Sequence, residues 1–127
     1  VDASRLVAQG KALFDGGAAL RGRIRSHPEV LPPAVIRCTN CHARAMDPAI
    51  PGSLAPRLTH DSLLVPRLRR GGPATAYDRE RFCSALRNGI DPAHVVLSVE
   101  MPLYEVTDDE CAALWGYLTA GPYDAAR

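Results

Sequence analysis

The chain contains no apolar run near the roughly 18 residues that a membrane-spanning helix requires, so no membrane span is expected. It also lacks an ordered Ser/His/Asp set and a framed pair of carboxylates, so no catalytic constellation can be read from it. Methionine is scarce, with only Met46 and Met101. Lysine is confined to Lys11, which leaves the positive charge almost wholly to arginine. No nucleic-acid-binding motif accompanies those arginines, and no nucleic-acid partner is expected. Eleven prolines and ten glycines fall mostly outside the helix-like stretches and leave little room for a sheet. No signal peptide is visible, and the sequence begins at Val1.

What is present is one short motif, Cys38-Thr39-Asn40-Cys41-His42. C-x-x-C-H is the attachment pattern of a c-type haem. Two thiols three positions apart can each add to one of the two vinyl groups on the same porphyrin edge. The next residue, His42, then lies under the iron as its proximal ligand. One such motif means one haem c. Covalent attachment implies export in bacteria, so a mature or trimmed periplasmic chain is expected. Two other chemistries use paired cysteines. A thioredoxin-like redox pair needs a strand–helix–strand context, whereas the sequence around position 38 is loop-like and proline-rich. A zinc site needs a second closely spaced ligand pair, and Cys83 and Cys111 are far apart in sequence.

A haem iron with a proximal histidine needs a sixth ligand or keeps an open site. The segment Glu100-Met101-Pro102-Leu103-Tyr104 offers a soft, neutral thioether in a loop stiffened by proline. Met46 is the rival, but it lies four residues beyond His42 on the proximal side. Met101 as a gap-filling core residue is the structural alternative. His27, His60 and His94 have no supporting motif and read as surface histidines.

With these residues in view, the chain resembles the class I c-type cytochromes, small single-haem electron-transfer proteins. Gly10-Lys11-Ala12-Leu13-Phe14 is similar to the N-terminal helix of that family. The haem motif follows, then Ala55-Pro56-Arg57-Leu58, similar to the segment whose carbonyl accepts the proximal histidine proton. Leu86-Arg87-Asn88-Gly89 resembles the end of the third helix, Met101 to Tyr104 the distal methionine loop, and Leu114-Trp115-Gly116-Tyr117-Leu118 the C-terminal helix. The resemblance implies an all-α cytochrome c fold of about four or five helices, with long loops wrapped around one covalently attached haem. It implies haem contacts from Cys38, Cys41, His42, Met101 and Pro56, with Arg69, Arg70 and Tyr77 as candidates for holding propionates. Trp115 has two readings: packing at the helix interface, or an indole N–H on a propionate. The implied activity is one-electron transfer between redox protein partners, not enzymatic turnover. A subunit docked to a larger dehydrogenase or oxidase, or a small haem enzyme acting on peroxide or sulfur compounds, are the alternatives. The long stretch from Gly16 to Arg37 and a second from Thr59 to Tyr77 depart from compact members of the family.

A chain of 127 residues is expected to form one domain, residues 1–127, and 46% hydrophobic residues suffice for a modest core. Ser4 is expected to cap a first helix with Leu6, Val7, Gly10, Leu13 and Phe14 on one face, stopped by Gly16-Gly17. Thr107 to Glu110 forms a capping-box pattern ahead of Cys111, Leu114, Trp115 and Leu118, with Gly121-Pro122 as the stop. Asp78 reads as the cap of another helix ending at Asn88-Gly89, and residues 62–70 as a possible further one limited by Pro66. Cys83 and Cys111 remain over. In an oxidising compartment they are expected to form a disulfide; two separate buried thiols on apolar helix faces are the alternative.

Charge is uneven along the chain. There are 14 Lys+Arg against 7 Asp+Glu up to Gly89, and 1 against 7 from Ile90 onward. Arg21, Arg23 and Arg25 alternate in the first long stretch. With Arg37 beside the motif, they are expected to lie near the exposed haem edge and help dock an acidic partner; a solvated loop with no partner is the alternative.

Overall fold

The computed structural model describes residues 3–42, 58–66, 68, 72–98 and 101–120. Among these, the chain is mostly helical: five helices and one small two-stranded sheet. The order is α1 (Ala3–Asp15), β1 (Gly22–Arg23), α2 (Cys38–His42), α3 (His60–Leu64), α4 (Arg79–Asn88), β2 (Leu103–Tyr104) and α5 (Asp108–Thr119).

Helix α1 buries Gly10, Leu13 and Phe14, which fall on one face at helical spacing. Its start differs from the sequence expectation. The helix already includes Ala3, so Ser4 stands inside the first turn and is not the residue before it. Its end agrees: Gly16 takes φ +93°, and the Ala12 carbonyl accepts the Gly16 and Ala18 amides, each at 3.0 Å. Asp15, hydrogen-bonded to Lys11, holds that ammonium above the usual lysine pKa.

The main packing contact is α1 against α5. Gly10 makes it possible, because a Cβ there would lie 2.6 Å from the Ala113 carbonyl carbon and 2.7 Å from Tyr117 Cβ. The Phe14 and Tyr117 rings meet beside it with centroids 5.7 Å apart. Helix α5 begins with the expected capping box. The Glu110 amide donates to Thr107 Oγ1 at 3.1 Å, and the Thr107 amide donates to Glu110 Oε1 at 2.8 Å.

Helix α4 is capped by Asp78, whose Oδ1 accepts from the Arg81 amide at 2.7 Å, and it ends at Gly89 with φ +69°. It lies against α5. Cys83 and Cys111 are a pair at disulfide distance, with Cα atoms 5.7 Å apart. The rings of Phe82 and Trp115 pack at 5.5 Å, so Trp115 serves the helix interface. The Arg87 guanidinium donates to the Val106 carbonyl and to Asp108 Oδ1, tying the end of α4 to the start of α5.

Helix α3 is shorter and earlier than the expected 62–70 segment. Thr59 and Ser62 form a second capping box, which starts the helix at His60. Pro66 disfavours helical backbone at the residue before it, and Val65 is extended at φ −86°, ψ 131°.

The sheet is the element that sequence reading missed. β1 and β2 are antiparallel, pairing Gly22 with Tyr104 and Arg23 with Leu103. The Glu105 amide continues the pairing onto the Arg21 carbonyl at 2.8 Å. Thus the 16–37 stretch is strapped onto the chain just beyond Met101. Leu13, Ile36, Leu63, Leu86, Leu114 and Leu118 lie in one core to which the five helices and β2 all contribute.

Candidate functional site

The C-x-x-C-H motif occupies the five-residue helix α2. A tight approach sets it up: the Val35 amide donates to Pro32 and the Ile36 amide to Pro33, at 2.9 and 3.3 Å. Asn40, an unspecified position in the motif, then turns back. Its Nδ2 donates to the Ala34 and Val35 carbonyls at 2.9 and 3.0 Å. Nothing in the motif pattern marks this role, although an amide side chain beside a proline-rich turn is a recognisable backbone binder.

Cys38 is buried at 8% exposure and belongs to the apolar core. His42 is half-buried one helical turn further on. Met101 and Tyr77 are partly buried and pack against the same core. Tyr77 is fixed to the end of α3 by its amide, which donates to the Leu63 carbonyl at 2.8 Å. The buried Tyr104 hydroxyl donates to the Ile36 carbonyl at 2.7 Å. That bond joins the strand three residues after Met101 to the turn two residues before Cys38.

Cys38, Met101 and Tyr77 are therefore brought to one core. Pro56, Arg69, Arg70 and Met46 lie outside the described residues, as does the side chain of Cys41. His27 and His94 are exposed; His60 is half-buried, with Nδ1 3.1 Å from Asp61 Oδ1.

The alternative cysteine chemistries find little in this arrangement. Cys83 and Cys111 pair with each other across α4 and α5, away from a zinc role beside α2. Among the described residues no three His, Cys, Asp or Glu side chains gather as a metal-binding group. The described strands are two residues each and antiparallel, which is not the βαβ frame of a thioredoxin-like pair.

The three arginines of the strap have separate uses. Arg21 pairs with Glu105 at 3.6 Å on the surface. Arg23 reaches the His27 carbonyl at 3.5 Å. Arg25 is half-buried and donates to the Gly89 and Leu97 carbonyls at 3.1 and 3.3 Å. Of the three arginines expected to help dock a partner, Arg25 is the one whose two terminal nitrogens donate to backbone of the chain itself. Among the described residues no helix is long and apolar enough to cross a membrane. No family model, curated protein or solved structure matches the chain.

Proposed function

We propose that this chain is an exported, periplasmic mono-haem c-type cytochrome of class I type, which carries single electrons between protein partners. The observation that carries the reading is the complete attachment motif folded as one short helix, with Cys38 in the core that Met101 also borders. The donor set fits haem c: two thiols for thioether bonds, an imidazole for the proximal side and a thioether sulfur for the distal side. The α1–α5 crossing at Gly10 is in keeping with the fold that the resemblance implies.

When bound, the haem supplies a reversible ferrous–ferric couple. The chain's own residues do the remaining work. Cys38 and Cys41 anchor the porphyrin edge. His42 and Met101 fix the ligand field, and the neutral sulfur of Met101 favours the reduced state. The surrounding apolar side chains exclude water and limit reorganisation. Arg70 and Tyr77 are proposed to hold propionates, the former through its fork of donors. Pro56 is proposed to lie beside the proximal histidine. The partner surface is proposed to be acidic, facing the arginine-rich part of the chain.

The test is the oxidised and reduced visible spectrum of protein exported in a host with haem-attachment machinery. A low-spin haem that stays with the chain after denaturation is expected, and it should be lost in Cys38→Ser with Cys41→Ser. A colourless product from a host that matures other c-type cytochromes overturns the reading.

A further inference from the structure

The 16–37 strap grips the chain on both sides of Met101. On the far side, the β1–β2 pairing and the Tyr104–Ile36 hydrogen bond fix residues 103–105. On the near side, residues 89–97 form a closed loop. The Leu97 amide donates to the Gly89 carbonyl at 2.8 Å, and Ile90 bridges Val96.

Arg25 lies across the mouth of that loop. Its two terminal nitrogens donate to the Leu97 and Gly89 carbonyls, residues 72 and 64 positions away in sequence. The fit is close. A Cβ on Gly89 would lie 3.3 Å from Arg25 Cζ and nearer still to one of its nitrogens. Gly89 also has a positive φ, so both space and backbone conformation call for glycine there. Among the described residues no carboxylate lies within ion-pair distance of Arg25, so the contact is directional donation to backbone and not charge neutralisation.

We propose that Arg25 is a positioning residue for the sixth iron ligand. It locks Leu97, while the strand locks Leu103, so that Met101 is held in a short span between two anchors. The inference rests on the proposed Met101 ligation. Within the span the Met101 amide also donates to the Ser98 carbonyl at 3.0 Å. A ligand segment held this way keeps its sulfur in place during redox change and resists displacement by other ligands. Arginine suits the position better than lysine, because its planar fork reaches two carbonyls at once.

The experiment uses haem-loaded protein and imidazole as the competing ligand for the ferric iron. Imidazole binds the fraction in which Met101 has left, so its apparent affinity reports that fraction. Arg25→Met keeps the side-chain bulk and removes the donors. Apparent imidazole affinity is expected to rise about tenfold or more, since hydrogen bonds from a charged group are lost. Arg25→Lys should fall between wild type and Arg25→Met, and Arg21→Gln, at an exposed pair, should match wild type. Amide hydrogen exchange at Leu97 and Met101 should quicken in Arg25→Met by more than the change in global unfolding predicts.

If wild type shows Met101 ligation, and the Arg25 variants match it in imidazole affinity and in exchange at Leu97, this inference fails and the functional reading stands. An effect that only follows global unfolding also overturns it. If Arg25→Met does not fold, Arg25→Lys carries the test, and wild-type imidazole affinity in that variant overturns the inference. A wild-type spectrum unchanged by Met101→Ala overturns the ligation reading, and the positioning role with it.

Discussion

Gly10→Ala sets two effects of opposite sign against each other. Helix propensity alone favours alanine over glycine inside α1 by about 1 kcal/mol. Packing opposes it. The new methyl carbon would lie 2.6 Å from the Ala113 carbonyl carbon and 2.7 Å from Tyr117 Cβ. Carbon atoms rest at about 3.5–4.0 Å, so the helices must part by about 1 Å. Ala113 is fully buried, and the first clash is with backbone, which cannot turn aside as a flexible side chain would. Overpacking of this kind costs about 1–3 kcal/mol, and a gap of that size also weakens neighbouring contacts such as Phe14 against Tyr117. The net expectation is destabilisation by up to about 2 kcal/mol, a fall in Tm of up to about 8 °C for a domain this size. Gly17→Ala is the control. Gly17 is exposed, its φ lies outside the left-handed region, and an added Cβ meets nothing nearer than 3.7 Å. It should be neutral, or stabilising by about 0.4–1 kcal/mol through the unfolded state. Denaturant unfolding followed by circular dichroism measures both. If Gly10→Ala is as stable as wild type or more so, the close α1–α5 crossing is refuted.

Met101→Ala should open the sixth coordination position, lower the reduction potential and allow the ferrous form to bind carbon monoxide; an unchanged spectrum and potential would refute Met101 ligation. Mass measurement with thiol alkylation of unfolded, unreduced protein should find Cys83 and Cys111 protected. Replacing both by serine should destabilise by up to about 3.5 kcal/mol on the chain-entropy model, and should make Met101 easier to displace because the closed loop contains it. Tyr104→Phe should cost about 1–2 kcal/mol, because it leaves the Ile36 carbonyl without this buried donor; the same unfolding measurement checks it.

The sequence made the helix ends that rest on local chemistry legible. Asp78 and Thr107 cap α4 and α5 through their own side chains, and Gly89 supplies the left-handed residue after α4. These signals lie within a few residues of the feature they specify. The start of α3 was misread because Thr59 with Ser62 departs from the usual capping-box pattern of Glu or Gln at the fourth position. The motif residues stand out by their spacing, and the structure folds them as one short helix. The role of the 16–37 stretch was not legible. Its alternating arginines look like a solvated, partner-facing loop, and two-residue strands leave no periodicity to detect.

What decides that stretch is its distant partners. Arg25 is indistinguishable in sequence from Arg21, yet one donates to half-buried backbone and the other pairs with an exposed carboxylate. The difference is energetic as well as geometric. An exposed ion pair is worth about 0–1 kcal/mol, whereas carbonyls that lose a charged donor while shielded from water bear a larger penalty. The long stretch therefore divides its arginines by what they hold. Arg21 pairs with a surface carboxylate, whereas Arg25 binds the backbone carbonyls of Gly89 and Leu97. Lengthening the connection ahead of the motif in this way joins the turn before Cys38 to the strand after Met101, and so couples the two ends of the proposed ligand set through strand pairing and the Tyr104 hydroxyl bond, not through apolar packing alone.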